Sequence, residues 1–372
     1  MALTSSLPTF HDFNIATREV KITSATSIIN EATKKTYFLS RMLEGRDIKK
    51  LMKGGKKLVH HVQSGTGSTY GAYYPGEEES PTTTDNLVQL EVPWTFNRAW
   101  YAYDDEETEL NDGNVERFVD LKKSYELSCA VDIMGGMEDQ LLATPDKTLM
   151  EDRTAASRRF TPLSLLAMNT RDGLAPSSTN GGVVSGSGDW TTLQTVNPST
   201  DTLFKNANAT YTAAQLDDLD NGLVTSFKKA TLRTAFEMPT AIRRYSDSVN
   251  QSMRKQMILT SEDGITTYES RLRGLNDRMR SLEDPSINGS QYQGVPIEYV
   301  STLDDQGWTA GQPDYLLYNF NYIYPIFHST LFMKEKAVDG GAKQPNRHVV
   351  YKFVVWQLFC ESRRRQCRIS AA

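Results

Sequence analysis

Residues 88–100 read VQLEVPWTFNRAW and carry the clearest strand pattern in the chain. Apolar side chains occupy almost every second position, with Arg98 as the exception. The apolar positions are Val88, Leu90, Val92, Trp94, Phe96 and Trp100. Alternation with a period of two is typical of a β-strand that buries one face. Pro93 has no N–H to donate, so the strand needs an exposed edge at that point. The stretch therefore predicts one long strand with its apolar side chains on a single face.

A shorter strand and a long loop precede this stretch. Residues 57–63 have a strand-like pattern, whereas residues 64–86 are rich in Gly, Ser, Thr, Tyr and Glu and show no periodicity. Together, residues 53–108 predict a long β-hairpin with this loop at its tip. A two-stranded hairpin is only marginally stable by itself in water, and long structureless loops are usually functional or disordered. We therefore expect the hairpin to gain stability by lying on another surface.

The charges around the hairpin are segregated. Residues 34–57 contain nine lysines and arginines against Glu44 and Asp47, whereas residues 77–116 contain twelve acidic residues against Arg98. An acidic arm beside a basic segment in one chain favours subunits that interlock with copies of themselves. The alternative is a solvated, charged hairpin that is held in place within its own chain.

The remaining elements are helices and strands without βαβ regularity, which predicts a mixed α+β fold. Residues 111–143 predict a long helix, because apolar side chains recur at steps of three and four. These side chains are Phe118, Leu121, Tyr125, Cys129, Ile133, Met137 and Leu141. Gly135 and Gly136 mark a point where the helix bends or ends. Other helices are predicted at 24–44, 164–168 and 211–236 and from Ser261 onward. Further strands are predicted at 257–259, 294–300 and 348–360, the last being buried and final.

Composition excludes several classes of protein. The chain has 372 residues, a net charge of −5 and three cysteines. Three cysteines give no disulfide framework and no zinc pattern, and a dedicated nucleic-acid binder usually carries a strongly basic surface. We expect no secretory signal, and no apolar stretch of the sequence reaches the length that a membrane helix needs. We therefore expect a protein that stays in a cytoplasm-like compartment.

Candidate catalytic motifs are weak. Residues 65–71 read GTGSTYG, but the third glycine of a dinucleotide fingerprint falls one residue late and no helix pattern follows. His60 and His61 are adjacent, so on a strand they point to opposite faces and cannot chelate one metal. We predict no catalytic residue, no metal site and no cofactor. The competing interpretation is an enzyme with an unrecognised site in the Gly- and Ser-rich residues 173–202.

Three stretches carry a resemblance to a known family. Residues 293–300 read QGVPIEYV, residues 317–325 read LYNFNYIYP, and residues 356–366 read WQLFCESRRRQ. Together with the order of the arm, the hairpin, the long helix and the last strand along the chain, they resemble the major capsid proteins of tailed bacteriophages, which have the Hong Kong 97-like fold. The resemblance implies an N-terminal arm, a long hairpin called the E-loop, a spine helix, a peripheral (P) domain and an axial (A) domain.

The family pattern implies domain boundaries for this chain. They are an N-terminal arm at 1–52, the E-loop hairpin at 53–110, a P-domain with spine helix and insertion loop at 111–204, an A-domain at 205–340, and a closing P-domain strand at 341–372.

The resemblance also implies a function and partners. The expected function is a structural subunit, not an enzyme, that assembles with itself into hexamers and pentamers of an icosahedral head around double-stranded DNA. The expected partners are portal and scaffolding proteins and a decoration protein, with weak contact to packaged DNA and none to a membrane. The expected location is the virion, with assembly in the host cytoplasm. An encapsulin-like nanocompartment shell with protein cargo is the alternative within the same fold.

Twelve residues are predicted to contact neighbouring subunits. The hairpin tip offers aromatic and acidic side chains, the basic segment offers lysines, and an arginine cluster lies near the C-terminus. They are Tyr70, Tyr73, Tyr74, Glu77, Glu78, Glu79, Lys49, Lys50, Lys53, Arg363, Arg364 and Arg365. The arginines could also bind phosphate, but they directly follow a strand predicted to be buried, so an ion-pairing or interface role suits them equally well.

Overall fold

The computed structural model describes the central and C-terminal parts of the chain, with gaps. The described residues are 38–39, 50–63, 72, 74–76, 78, 87–105, 121–154, 159–169, 192–196, 204–212, 219–234, 256–275, 291–306, 312–339 and 346–371. The described chain divides into two compact units. The first unit takes its described residues from 98–133 and 333–353, and the second from 35–97, 134–332 and 354–372.

Helices and strands are mixed along the chain, as predicted. The strands are β1 (Lys50–Met52), β2 (Lys57–Gln63), β3 (Leu87–Pro93), β4 (Thr95–Asp104), β5 (Ala207–Tyr211), β6 (Gln256–Thr260), β7 (Gln291–Tyr292), β8 (Val295–Tyr299), β9 (Tyr315–Asn319), β10 (Ile323–Asp339), β11 (Arg347–Cys360) and β12 (Cys367–Ala371). The helices are α1 (Leu121–Leu141), α2 (Lys147–Met150), α3 (Leu165–Met168), α4 (Leu223–Thr234) and α5 (Glu262–Leu275), with 3-10 turns at Ser301–Gln306 and Arg363–Arg365.

The two strands of the predicted hairpin pair with each other. β2 runs antiparallel to β3, from Lys57 opposite Pro93 to Gln63 opposite Leu87. The long strand predicted at 88–100 is, however, two strands. β3 pairs with β2, whereas β4 is an edge strand of a four-stranded sheet in the order β1-β10-β11-β4.

The set of side chains that faces the core changes where β3 ends and β4 begins. Trp94 and Thr95 are both buried, so the alternation shifts by one position there. As a result Phe96 and Trp100 are 71% and 62% exposed, although the sequence predicts them on the same face as Leu90. The correction has a local cause, because Pro93 cannot donate to a ladder and its carbonyl oxygen is bound by side chains from elsewhere in the second unit.

Helix α1 is the long helix predicted from the apolar stripe. It continues through Gly135 and Gly136 to Leu141, so it does not end at the glycine pair. The stripe residues Cys129, Ile133, Met137 and Leu141 are all buried, which confirms the predicted face. Residues 106–120, where the sequence predicts the start of this helix, lie outside the described residues.

The second unit contains a six-stranded sheet in the order β5-β12-β9-β6-β8-β7. Its interior strand β12 was not predicted, because the sequence suggested that the strand at 348–360 was the last one. β12 pairs in parallel with β5 and antiparallel with β9, and its whole length is buried. The strand at 348–360 is β11, which lies inside the four-stranded sheet between β10 and β4. Its residues are buried on both faces from Val354 to Cys360, as expected for an apolar interior strand.

Helices α4 and α5 contribute to one aromatic core with this sheet. The ring of Phe227 lies 5.4 Å from that of Tyr268, 5.3 Å from that of Tyr292 and 4.9 Å from that of Tyr315. Gly264 in α5 fits here because a Cβ at that position would meet the Thr260 hydroxyl at 1.8 Å. A glycine is therefore required for the close approach of α5 to the end of β6.

The helix predicted at 211–236 begins later in the structure than the sequence pattern predicts. Tyr211 ends strand β5, the N–H of Thr212 binds the carbonyl oxygen of Asn221, and α4 starts only at Leu223. Leu219 was predicted on the buried stripe and is 89% exposed instead. The helical pattern was correct from Leu223 onward, where Leu223 and Phe227 are buried.

The other short elements follow the sequence. Strands β6 and β8 cover the predictions at 257–259 and 294–300, α3 covers 165–168, and α5 follows Ser261, whose hydroxyl accepts from the N–H of Gly264 at 3.4 Å. Of the helix predicted at 24–44, the structure describes Phe38 and Leu39, which are helical and buried. None of the helices formed by the described residues is both long and apolar enough to cross a membrane.

Candidate subunit-contact surfaces

The β2–β3 hairpin has one packed face and one open face. Leu58, Leu90 and Val92 are buried, whereas Val59 is 49% exposed on the opposite side. On this open side the Lys57 ammonium lies 2.7 Å from the Glu91 carboxylate. The hydrogen bond from Lys57 lowers the pKa of Glu91. Because the pair is exposed, its main effect is to place charge on the surface and not to stabilise the fold.

The packed face of the hairpin contacts the C-terminal end of β11. The imidazole ring of His60 meets the ring of Phe359 edge-on at 6.2 Å, and its Nε2 lies 4.0 Å from the Glu361 carboxylate. Glu361 also accepts a hydrogen bond from the hydroxyl of Tyr324. His60 therefore lies at this contact, with its side chain 48% exposed.

A short segment at 192–196 fastens the outer edge of β3. The N–H of Glu91 donates to the carbonyl oxygen of Gln194 at 3.1 Å, and the Thr195 hydroxyl donates to the carbonyl oxygen of Gln89 at 3.1 Å. The buried Gln194 side chain makes two hydrogen bonds to the backbone of Cys360. Its amide oxygen accepts from the Cys360 N–H at 3.0 Å, and its amide nitrogen donates to the Cys360 carbonyl oxygen at 2.8 Å. This segment therefore joins the hairpin to β11.

Arg153 fixes the point where β3 gives way to β4. Its guanidinium donates to the carbonyl oxygens of Trp94 at 2.7 Å and Pro93 at 3.0 Å, and to the Thr95 hydroxyl at 3.1 Å. Burial lowers the pKa of Arg153. The amide of Gln357 adds a hydrogen bond of 2.9 Å to the carbonyl oxygen of Pro93. Backbone acceptors that a regular strand would pair with another strand are satisfied here by side chains.

The predicted contact residues at the hairpin tip are described only in part. Tyr74 is 79% exposed, Glu78 is exposed, and Gly76 between them has a φ of +99°, which favours glycine. The other predicted tip residues lie outside the described residues: Tyr70, Tyr73, Glu77 and Glu79. An exposed aromatic ring and an exposed carboxylate in the same short stretch are compatible with a contact surface, and the interface role of these residues stays a prediction.

The predicted basic residues lie next to β1. Lys50 begins this strand, which pairs in parallel with β10 so that Lys50 lies opposite Ile326. Lys53 is exposed directly after the strand, and Lys49 lies outside the described residues. The N–H of Gly54 donates to the His328 ring at 3.3 Å. The contact of these lysines with an acidic hairpin stays a prediction.

The three arginines near the C-terminus occupy different environments. Arg363 is buried, donates to the carbonyl oxygen of Met168 at 3.0 Å, and donates to the Asn206 side chain at 3.1 Å. Arg365 is also buried, and its guanidinium lies 4.2 Å from the centre of the Tyr322 ring. Arg364 is exposed. Arg363 and Arg365 thus make contacts inside the chain, while Arg364 presents its side chain to solvent.

A buried ion pair near this cluster was not predicted. Arg368, in β12, is 1% exposed and donates from both Nε and Nη2 to the same carboxylate oxygen of Asp314, with a distance of 2.9 Å for Nε. The paired carboxylate compensates part of the cost of burying the guanidinium. The only signal in the sequence is a charged residue inside an apolar segment, and Asp314 lies 54 residues away.

The described residues contain no group of three or more His, Cys, Asp or Glu side chains that could hold a metal ion. His60 and His61 lie on one strand at successive positions, as predicted. The competing interpretation places an enzyme site in residues 173–202. The described part of this range is the segment at 192–196, which binds the edge of β3.

No protein-family model matches the amino-acid sequence, and no curated protein matches it by sequence. The structure, in contrast, is similar to several solved capsids. The capsid of a native GTA particle aligns over 100% of both chains with a TM-score of 0.56 and 10% identity. The capsid of cyanophage A-1(L) aligns over 96% of this chain and 98% of its own with a TM-score of 0.56 and 12% identity. The capsid of the Myoviridae phage XM1 aligns over 94% and 96% with a TM-score of 0.50 and 11% identity.

The chain has the fold of tailed-phage capsid proteins. This confirms the fold class expected from the sequence, a mixed α+β Hong Kong 97-like capsid fold. Strands β2 and β3 lie within the stretch where the resemblance implies the E-loop hairpin, and α1 lies within the stretch where it implies the spine helix.

Proposed function

We propose that this chain is the major capsid subunit of a tailed bacteriophage. It assembles with itself into hexamers and pentamers of an icosahedral head that encloses double-stranded DNA. The observation that supports this proposal best is the structural likeness to capsids over the full length of the chain. Closed cyclic symmetry allows one chain to make the repeated contacts that such rings require.

The subunit contacts in this proposal come from the hairpin and the basic segment. The acidic, aromatic tip around Tyr74 and Glu78 meets the lysines around Lys53 in a neighbouring copy. Both sets carry exposed side chains in the described residues. Opposite charges on the two surfaces would steer the encounter and select the correct pairing of subunits.

The remaining parts of the proposal concern partners and place. The chain acts as a structural protein without enzymatic activity, works with portal and scaffolding proteins and a decoration protein, and touches packaged DNA weakly. It assembles in the host cytoplasm and ends in the virion. The proposed domain boundaries are those that the family pattern implies, with the A-domain at 205–340 and P-domain segments on either side of it.

The particle size of the purified protein tests this function. Dynamic light scattering and negative-stain microscopy are expected to show closed shells, or rings of five and six subunits, when a scaffold is supplied. Nucleic-acid content of the shells then separates a phage head from an encapsulin-like compartment, which would contain protein cargo. A uniform species near the chain mass of 41.8 kDa at high concentration would contradict the proposal.

A further inference from the structure

In the first unit, a cluster of charged side chains lies on one face of the four-stranded sheet. The ammonium of Lys352, in β11, lies 3.0 Å from Glu126 of helix α1 and 2.8 Å from Glu335 of β10. The ring of Tyr101, in β4, has its centre 6.0 Å from the same ammonium. Burial alone would lower the pKa of Lys352, but hydrogen bonds from its ammonium to Glu335 and Glu126 outweigh this effect and raise it. Three strands therefore present these side chains toward the same side as α1.

The neighbours of these residues lie on the opposite face, because side chains alternate along a strand. We call this surface the basic aromatic face. Its residues are Arg98 and Trp100 in β4, Lys334 and Lys336 in β10, and Arg347, Tyr351 and Phe353 in β11. The guanidinium of Arg98 lies 5.8 Å from the centre of the Tyr351 ring, which confirms that β4 and β11 share this side.

The basic aromatic face is open to solvent. Trp100 is 62% exposed, the four cationic side chains are exposed, and Tyr351 and Phe353 are half-buried with their rings stacked at 6.3 Å. Within the described part of this unit, no ion pair involves any of the four cations. Asp104 is the acidic residue at the end of the same face of β4. A cationic surface is therefore present on a chain whose net charge is −5.

We propose that the basic aromatic face binds the phosphate backbone of duplex DNA. Lys334 and Lys336 are two residues apart on one strand, which separates their Cα atoms by about 6.6 Å, and neighbouring strands are about 4.8 Å apart. Cations on three neighbouring strands can thus neutralise several phosphates at once. Such contacts carry no sequence specificity and weaken as salt is added, because bound counterions are released from the DNA.

This proposal rests on the proposed function, because the ligand is the packaged DNA. The contact itself is made by the side chains of one subunit. A face with four cations predicts weak binding per subunit. Many copies in one shell would strengthen the attachment through multivalency. The competing occupant is the acidic hairpin tip of a second copy, and the experiment separates the two.

Binding is measured by fluorescence anisotropy of a labelled 20-base-pair duplex with the dispersed full-length chain at about 25 to 200 mM salt. With three to four phosphates neutralised, log Kd is expected to change with log salt with a slope of about 3. The triple variant Lys334→Glu, Lys336→Glu, Arg347→Glu is expected to bind at least about tenfold more weakly and to lose most of this slope. Because all three side chains are exposed, the variant is expected to keep the thermal midpoint of the parent.

The matched control changes the net charge by the same amount elsewhere. It is the triple variant Lys56→Glu, Arg159→Glu, Lys228→Glu, at three positions that are exposed in the second unit. This control is expected to retain most of the binding. If it loses as much affinity as the face variant, overall charge and not this face governs binding, and the proposal is overturned.

Trp100 provides a local signal for the contact. DNA is expected to change the tryptophan fluorescence of the parent, and Trp100→Phe is expected to remove that change. No binding at 25 mM salt would overturn the proposal, as would displacement of DNA by a peptide covering residues 70–86 at equal concentration. Shell formation by the face variant, measured by light scattering, tests the proposed function separately from DNA binding.

Discussion

At the scale of single residues, the three cysteines show how burial controls ionisation. Cys129 is 3% exposed, and Cys360 and Cys367 are 0% exposed. Burial raises the pKa of Cys360 and of Cys367 to about 12, and it also raises the pKa of Cys129. The folded protein therefore holds neutral thiols, whereas the unfolded chain ionises its thiols near a pH of about 8.5.

This difference predicts both reactivity and pH dependence. At pH 8 the three thiols are expected to resist iodoacetamide until the protein is unfolded, because the thiolate is the reactive form. Stability linked to the buried thiols is fully present below a pH of about 8.5 and is lost as pH rises toward 12. The loss is roughly 1.4 kcal/mol per pH unit for each thiol of Cys360 and Cys367.

The measurement is the urea midpoint of unfolding between pH 8 and pH 10, with mass spectrometry of alkylated protein alongside. The variant Cys360→Ala, Cys367→Ala is expected to show a flatter pH dependence than the parent, although it is less stable at pH 8 because the smaller side chains leave cavities. Alkylation of the native protein at the rate of a free thiol would contradict the prediction.

The buried arginines show a limit of sequence interpretation at this scale. Arg363, Arg364 and Arg365 form one cluster in the sequence, but two of them are buried and one is exposed. Their environments depend on Asn206 and Tyr322, which are distant along the chain. A cluster of arginines in a sequence therefore indicates that partners for these side chains exist. Here residues of the same chain are the partners of Arg363 and Arg365.

At the scale of elements, the strand break between β3 and β4 is the main departure from the sequence pattern. The period-two alternation correctly predicts strand conformation on both sides of Pro93. The shift of face was not predictable, because the side chains that bind the backbone there are Arg153 and Gln357, 60 and 264 residues away from Pro93. Strand β12 was missed for a similar reason. Its pairing partners β5 and β9 provide the ladder that a five-residue segment needs.

Replacement of Arg153 by methionine tests this element. The variant keeps an unbranched apolar side chain but leaves the carbonyl oxygens of Pro93 and Trp94 without the guanidinium. We expect a loss of about 1–3 kcal/mol in the free energy of unfolding, because partly buried acceptors lose a charged donor. The measurement is urea unfolding followed by circular dichroism, with hydrogen exchange of residues 87–100 as the local readout.

Arg159→Met serves as the matched control, since Arg159 is exposed. Its free energy of unfolding is expected to stay within about 0.5 kcal/mol of the parent. Equal midpoints for the two variants would show that Arg153 does not hold the junction of β3 and β4.

At the scale of the whole molecule, most of the architecture was predictable because independent patterns agree. The hairpin follows from alternation, the spine helix from its apolar stripe, and the α+β class from the order of the two kinds of element. The contact surfaces were less predictable, because an interface depends on a second copy that the sequence of one chain does not place. Charge segregation along the sequence is the feature that links one copy to another in our proposal.

Exchange of the charges between the two proposed contact surfaces tests that link directly. The variant Glu77→Lys, Glu78→Lys, Glu79→Lys is expected to fold but to assemble poorly, because its tip then meets lysines of the same sign. The variant Lys49→Glu, Lys50→Glu, Lys53→Glu is expected to fail in the same way. The six-fold variant, which carries both changes, is expected to recover shells, since opposite charges face each other again. Shell yield by light scattering and microscopy is the measurement, and Glu→Gln at the three tip positions separates loss of charge from reversal. Normal shells from either triple variant, or no recovery in the six-fold variant, would show that other residues hold the subunits together.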